Sequence, residues 1–283
     1  MAGFHQIGRC IVDHVVPDDQ AFDRLVFLHI EKAAGKSLKT FLDLTFPAGV
    51  VSPHTDYTSF EQVAPDYGLS VGHIDRQYCG RVLGEFKWFT VLREPVERVA
   101  SLMNYWAQVA HPASWIYRDA SEVDRAAYDL ARTATLEEFA ASDNQKIVDQ
   151  VHNLMCFRIL GAVQGNSTDQ EYADKAFDLL QSEALFFGLQ SQLPMTLLQI
   201  PLLLDLPARD VRLPKARVNE TSLARVSAHD SRIEDLPSLR ADMLLYRAAE
   251  KLFHQRMLSI TEIYLNRTTY QRVHDRLPTS ASH

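Results

Sequence analysis

Cysteine is scarce in this chain of 283 residues: Cys10, Cys79 and Cys156 are odd in number and far apart. That spacing excludes a disulfide framework and the usual metal-finger patterns, and leaves buried thiols in a reducing compartment as the expectation. No apolar run approaches the ~20 residues that a membrane-crossing helix needs. Basic residues do not predominate either. The formal net charge is −7, which argues against a nucleic-acid partner, since such binders are basic overall, but leaves room for a local basic pocket. The opening stretch MAGFHQIGRCIVDH has neither the basic start nor the apolar core of a signal peptide. A cytoplasmic protein is therefore expected, with a luminal fragment lacking its membrane anchor as the alternative. Only that alternative would give meaning to the N-x-[ST] sequons at Asn166, Asn219 and Asn266. Internal repeats and low-complexity tracts are absent.

What is present is an ordinary globular composition, 46% hydrophobic and 23% charged, at a length suited to one large α/β domain or two small ones. The chain is organised around LVFLHIEKAAGKSLKTFL, Leu25 to Leu42. Leu25 to Ile30 is an unbroken apolar run that reads as a buried parallel strand. Glu31 to Lys36 is a loop of small residues, and Ser37 is expected to cap a helix carrying Leu38, Phe41, Leu42 and Thr45 on one face. Strand, tight loop and helix N-terminus make an anion site, because free N–H groups and the helix dipole favour negative charge. Ala33, Ala34 and Gly35 allow close approach, while Lys32 and Lys36 add two charges. Gly35-Lys36-Ser37 also matches the end of the Walker A loop, GxxxxGK[ST], but its first glycine would fall at Ile30, inside the strand.

Further strands are expected at Leu69–His73, Trp88–Leu92 and Phe186–Leu189, with a possible short one at Gly49–Val51. Pro95 suits the first position of a helix bearing Val96, Val99, Ala100, Met103 and Trp106. Arg93 therefore leaves the end of a parallel strand, where open α/β sheets bind ligands, and Ser101 follows two turns into that helix. Thr135 to Phe139 reads as a short capped helix, Gln145–Leu160 as one strong helix, Tyr172–Ser182 as another, and Leu193–Leu204 as deeply buried. Asp242–Met257 is expected to be the last helix, before a polar tail. The alternation of strand and helix predicts a single α/β domain with a mainly parallel β-sheet of four to five strands flanked by helices.

HIEKAAGKSL resembles the HIPKTAGTSL-type loop of the carbohydrate sulfotransferases related to the heparan sulfate 2-O-sulfotransferases. Glu31 stands where that family has Pro, and Lys36 where it has Thr. VLREPVERVASLMNYW resembles the family's VLRDPVERxxS stretch, QVHNLMCFRILG its N-Q-x-R-x-L-x-G helix through Asn153 and Arg158, and DMLLYRAAEKLF its D-x-x-LY helix. The likeness spans about Leu25 to Phe253 and points to a bacterial member. It implies a P-loop-like fold and a sulfotransferase using PAPS (3′-phosphoadenosine 5′-phosphosulfate), with PAP as product and no metal required. In this reading Lys32, Ala33, Ala34, Gly35, Lys36, Ser37 and Leu38 hold the 5′-phosphosulfate, and Arg93 and Ser101 hold the 3′-phosphate. His73, after Gly72, is the implied catalytic base, with His54 and Asp75 in reserve, and Lys32 stabilises the leaving oxygen. Lys215 and Arg217 belong to a basic loop that closes over the nucleotide. The domain covers residues 1–265 before the tail at 266–283, and 107–143 forms an acceptor-side cap. The acceptor is a hydroxyl-bearing carbohydrate, glycolipid or other alcohol. A P-loop ATP-dependent kinase and a non-catalytic nucleotide- or glycan-binding protein are the alternatives.

Overall fold

The computed structural model describes residues 24–203 and 236–274, with side chains through 200 in the first stretch and through 258 in the second. The apolar runs form five strands: β1 (Arg24–Leu28), β2 (Val51–Thr55), β3 (Leu69–Gly72), β4 (Phe86–Leu92) and β5 (Ala184–Leu189). They lie in the order β2-β3-β1-β4-β5, and every pairing is parallel. The possible strand at Gly49–Val51 is thus β2, shifted toward its C-terminus. Pro53 is tolerated there because β2 is an edge strand and one face of its backbone needs no partner.

Helices cover both faces, which is why the inner strands read as continuous apolar runs. Leu25 and Phe27 of β1 pack with Leu38 and Phe41 of α1 (Gly35–Thr45). Val26 and Leu28 point the other way, into the core that holds Cys79 of α3 (Arg76–Leu83), where α2 (Phe60–Val63) contributes Phe60. Each such side chain contributes about 1.5–3 kcal/mol when fully buried. A third core is helical. In it α4 (Pro95–Val109) places Trp106 edge-on to Tyr128 of α6 (Glu122–Thr133) and Phe139 of α7 (Leu136–Ala140). Short α5 (Trp115–Asp119) lies beside it, and a capping box at Thr135 starts α7 as expected.

Three expectations need correction. Gln145–Leu160 is two helices, α8 (Gln145–Val151) and α9 (Leu154–Leu160). The break is at Asn153, whose φ is 44° and whose amide is tied to Gln164 Oε1 and to the Asp242 N–H. Tertiary hydrogen bonds there outweigh local helix propensity. Arg98 has a structural role in this break: it is wholly buried, and its guanidinium caps the carbonyls of Gln150 and Val151 at the end of α8. α10 (Asp169–Ser182) agrees with expectation, but α11 (Leu193–Leu203) is not buried all round, since Leu198 is 38% exposed. α12 runs Arg240–His274, well past Met257, because neither Gly nor Pro interrupts the chain before Pro278. No helix among the described residues is long and apolar enough to cross a membrane.

The order of strands places the ligand crevice. The connection from β1 leads outward to β2, whereas that from β4 leads the opposite way to β5. The reversal opens a crevice at the C-terminal ends of β1 and β4, the position where open α/β sheets take ligands.

Candidate active site

The loop from β1 to α1 fills that crevice. Two of its non-glycine residues have left-handed backbone, Lys32 at φ 68° and Ala34 at φ 64°. That conformation opposes L-residues by roughly 1–2 kcal/mol each, so the surrounding fold must hold them in it. Alternation of this kind turns successive N–H groups inward to form an anion-binding nest. Ala34, not Ser37, is the N-cap of α1, and no side chain caps the helix. Ser37 sits inside the first turn, so that turn's N–H groups are left for a ligand. Two expected contributors are corrected here. Leu38 is fully buried in the core and its N–H bonds Ala34 O, while the Ala33 N–H bonds Ile30 O and its side chain is buried.

Lys32, Lys36 and Arg93 converge on this nest. Burial, and then repulsion from Lys36 and Arg93, lower the Lys32 pKa from 10.5 to about 8. The ammonium lies 4.4 Å from the centre of the Tyr105 ring on α4. Ser101 precedes Tyr105 by four residues and so shares its face of α4. Arg93 donates from Nη1 to Lys32 O at 3.1 Å and lies 3.5 Å from Glu97. Part of its fork therefore fixes the loop rather than a ligand.

Gly35 meets a second requirement besides the one its sequence position suggests. A Cβ there would lie 1.5 Å from His29 Nε2, so the glycine makes room for an imidazole. His29 is the first residue after β1, His73 the first after β3, and His54 lies near the end of β2. Parallel pairing of the three strands brings the rings together. His29 Nδ1 is 2.8 Å from His54 Nε2, and the His73 ring lies 4.2 and 4.4 Å from those of His29 and His54. Burial and repulsion from His73 lower the His54 pKa to about 4 and hold His29 well below the usual imidazole value. His73 Nδ1 lies 2.8 Å from His29 O. A carbonyl can only accept, so Nδ1 carries a proton, and in the neutral ring Nε2 keeps its lone pair.

Glu31, the residue that departs from the resembling family, is buried and paired with Arg158 of α9 through both guanidinium nitrogens that face it. Burial opposes its charge, but Arg158 and then His73 outweigh this and lower its pKa. Arg158 Nη1 also donates to Tyr57 Oη at 2.8 Å, and the Tyr57 hydroxyl donates to Asp75 at 2.7 Å. Asp75 further accepts from the Tyr78 N–H to cap α3, so this reserve base has a structural role. A cleft of about 880 Å³ opens beside His73, lined by Glu31, Asp56, Tyr57, Asp149, Asn153 and Arg158 among others. α8 and α9 supply one wall, the segments after β1, β2 and β3 another, and no lining residue falls in 107–143. Cys79 and Cys156 are buried free thiols held protonated by burial. Lys215, Arg217 and Cys10 lie outside the described residues. His29 is the site residue that sequence reasoning missed. No protein-family model matches this chain, and no curated protein matches it.

Proposed function

We propose that this chain is a sulfotransferase of P-loop-like fold that moves a sulfuryl group from PAPS to an acceptor hydroxyl. The observation that carries the reading is an uncapped nest ringed by Lys32, Lys36 and Arg93, with the Nε2 lone pair of His73 nearby at the mouth of a separate cleft. The nest and helix N-terminus suit the 5′-phosphosulfate, and the Ser101 face of α4 with the remaining Arg93 donors suits the 3′-phosphate. His73 Nε2 takes the hydroxyl proton as the acceptor oxygen bonds to sulfur and the bond from sulfur to the phosphate oxygen breaks. PAP and a sulfate ester leave. Lys32 and the loop N–H groups stabilise the charge that grows on the departing oxygen. The cleft carries Glu31, Asp56 and Asp149 against Arg158, whose charge Glu31 already meets, so an uncharged sugar or alcohol suits it better than an acidic glycan.

The test is a thermal-shift comparison followed by an acceptor screen with labelled PAPS. PAP should stabilise the protein without metal, and ADP or ATP–Mg²⁺ far less. Greater stabilisation by ATP–Mg²⁺ would overturn the reading in favour of a kinase.

A further inference from the structure

We infer that His29, His54 and His73 form a binding site for a divalent transition metal of the Zn²⁺ class, one ring nitrogen from each serving as ligand. The inference stands apart from the sulfuryl-transfer reading, and the two exclude each other at one atom: an ion held by His73 Nε2 takes the lone pair that the base needs, so the metal-bound form would not transfer sulfuryl groups. One nitrogen from each of the three rings lies within 4.8 Å of the other two, and the His29–His54 pair is already at 2.8 Å. Tetrahedral bonds of about 2.0–2.1 Å set neighbouring ligand nitrogens roughly 3.3–3.4 Å apart; the His29–His54 pair lies below that value, and every pair lies within 4.8 Å. Small movements of the rings are enough, and the two that must move most are the least confined: His54 is exposed and His73 half-buried.

Three further features favour a metal over a simple hydrogen-bonded cluster. His73 donates its Nδ1 proton to His29 O, the outer-shell contact that orients a ligating imidazole and leaves Nε2 for the ion. Imidazole is a good ligand for Zn²⁺, Cu²⁺ and Ni²⁺ and a poor one for Mg²⁺ and Ca²⁺, which selects the class. His73 also lines the open cleft, which gives the ion an entry path and a fourth position for water or a small oxygen ligand. Glu31 Oε1 lies 3.8 Å from His73 Nδ1 but is held by Arg158, so it adds negative charge nearby and does not coordinate.

The experiment uses the full chain, stripped with a chelator and titrated with Zn²⁺ by calorimetry and with Co²⁺ by visible absorption. One equivalent of Zn²⁺ should bind, with the intense visible bands of four-coordinate Co²⁺. His54→Ala and His73→Ala should each weaken binding at least ~100-fold, beyond what loss of an outer-shell contact usually does. His152→Ala, in the same cleft but outside the cluster, should leave it unchanged. Circular dichroism melts establish that each variant is folded, and either ligand variant alone suffices if the other is not. Absence of saturable binding, or binding that both ligand variants retain, would overturn the site.

Discussion

The two flanks of the loop after β1 treat positive charge in opposite ways. Toward β4, Lys32, Lys36 and Arg93 converge, and Glu97 lies 3.5 Å from Arg93. Toward β3, the Arg158 guanidinium is held by Glu31 and Tyr57, and Tyr57 in turn by Asp75. A buried, fully partnered ion pair gives a unique arrangement rather than a place for a ligand. A cluster of like charges around a nest suits an anionic ligand. Charge count alone would not separate the two sides. The partners do.

The boundary between the flanks is His73, and the largest effect is expected there. His73→Ala should lower sulfuryl transfer by ~10²–10⁴, the usual loss for a general base, while the PAP-induced melting shift stays as in the parent. Single-turnover rates with labelled PAPS check the first half and thermal shift the second. A variant that keeps most of its rate would remove His73 from the chemistry and return attention to His54.

Next in size is the contrast in stability. Glu31→Ala leaves the Arg158 charge buried without its carboxylate, and breaking such a pair costs about 3–5 kcal/mol. Lys32→Ala removes a cation that burial and its neighbours disfavour, so below pH 8 it should leave the fold at least as resistant to urea as the parent, while weakening PAP. If Lys32→Ala destabilised the fold as much as Glu31→Ala, the cationic flank would be structural too.

Much of this contrast was beyond the reach of the sequence, for a physical reason. β1 and the nest were legible because they are local: an apolar run, three small residues and a helical stripe lie within eighteen consecutive positions, Leu25 to Leu42. The histidine cluster depends on strand order, which local pattern does not encode. A signal was there all the same, since three strands end at or near a histidine, and only their adjacency was hidden. The loop motif gives one reason for Gly35, phosphate approach, and hides another, since the ring of His29 fills the space that a Cβ would take. The helix break at Asn153 was equally hidden, because it is set by Gln164 and Asp242 from elsewhere in the chain.

Arg93 tests whether the cationic flank reads a second phosphate. A charge-assisted hydrogen bond contributes about 1.5–3 kcal/mol, so Arg93→Ala should narrow the preference for PAP over ADP by about 10- to 100-fold. Calorimetry with both nucleotides separates this from general weakening. Arg93 also holds Lys32 O, so some loss of ADP affinity is expected as well. An equal loss for both nucleotides would mean that Arg93 acts only by holding the loop.

The smallest effect, and the most specific to the comparison, is the pH dependence of nucleotide binding through Lys32. Its pKa is about 8 in the free protein, first because of burial and then because of Lys36 and Arg93. A bound phosphate opposes those cations and raises it. Below about pH 8 the ammonium is charged with or without ligand, and affinity should be flat. Above that value the free protein has lost the proton and must regain it on binding, so PAP affinity should fall by up to tenfold per pH unit. Working above pH 7.5 avoids the second ionisation of the phosphate groups, near 6. Lys32→Arg, which stays charged throughout, should bind PAP with little change between pH 7.5 and 9.5. Stability without ligand should move the other way. Between pH 8 and 10.5 the unfolded chain holds a proton on Lys32 that the folded chain has released, so wild type should gain stability relative to Lys32→Met as pH rises. Opposite slopes for affinity and stability would assign both to one depressed ammonium in the nest. A wild-type affinity that stays level to pH 9.5 would place the ligand away from Lys32 and dissolve the distinction between the two flanks.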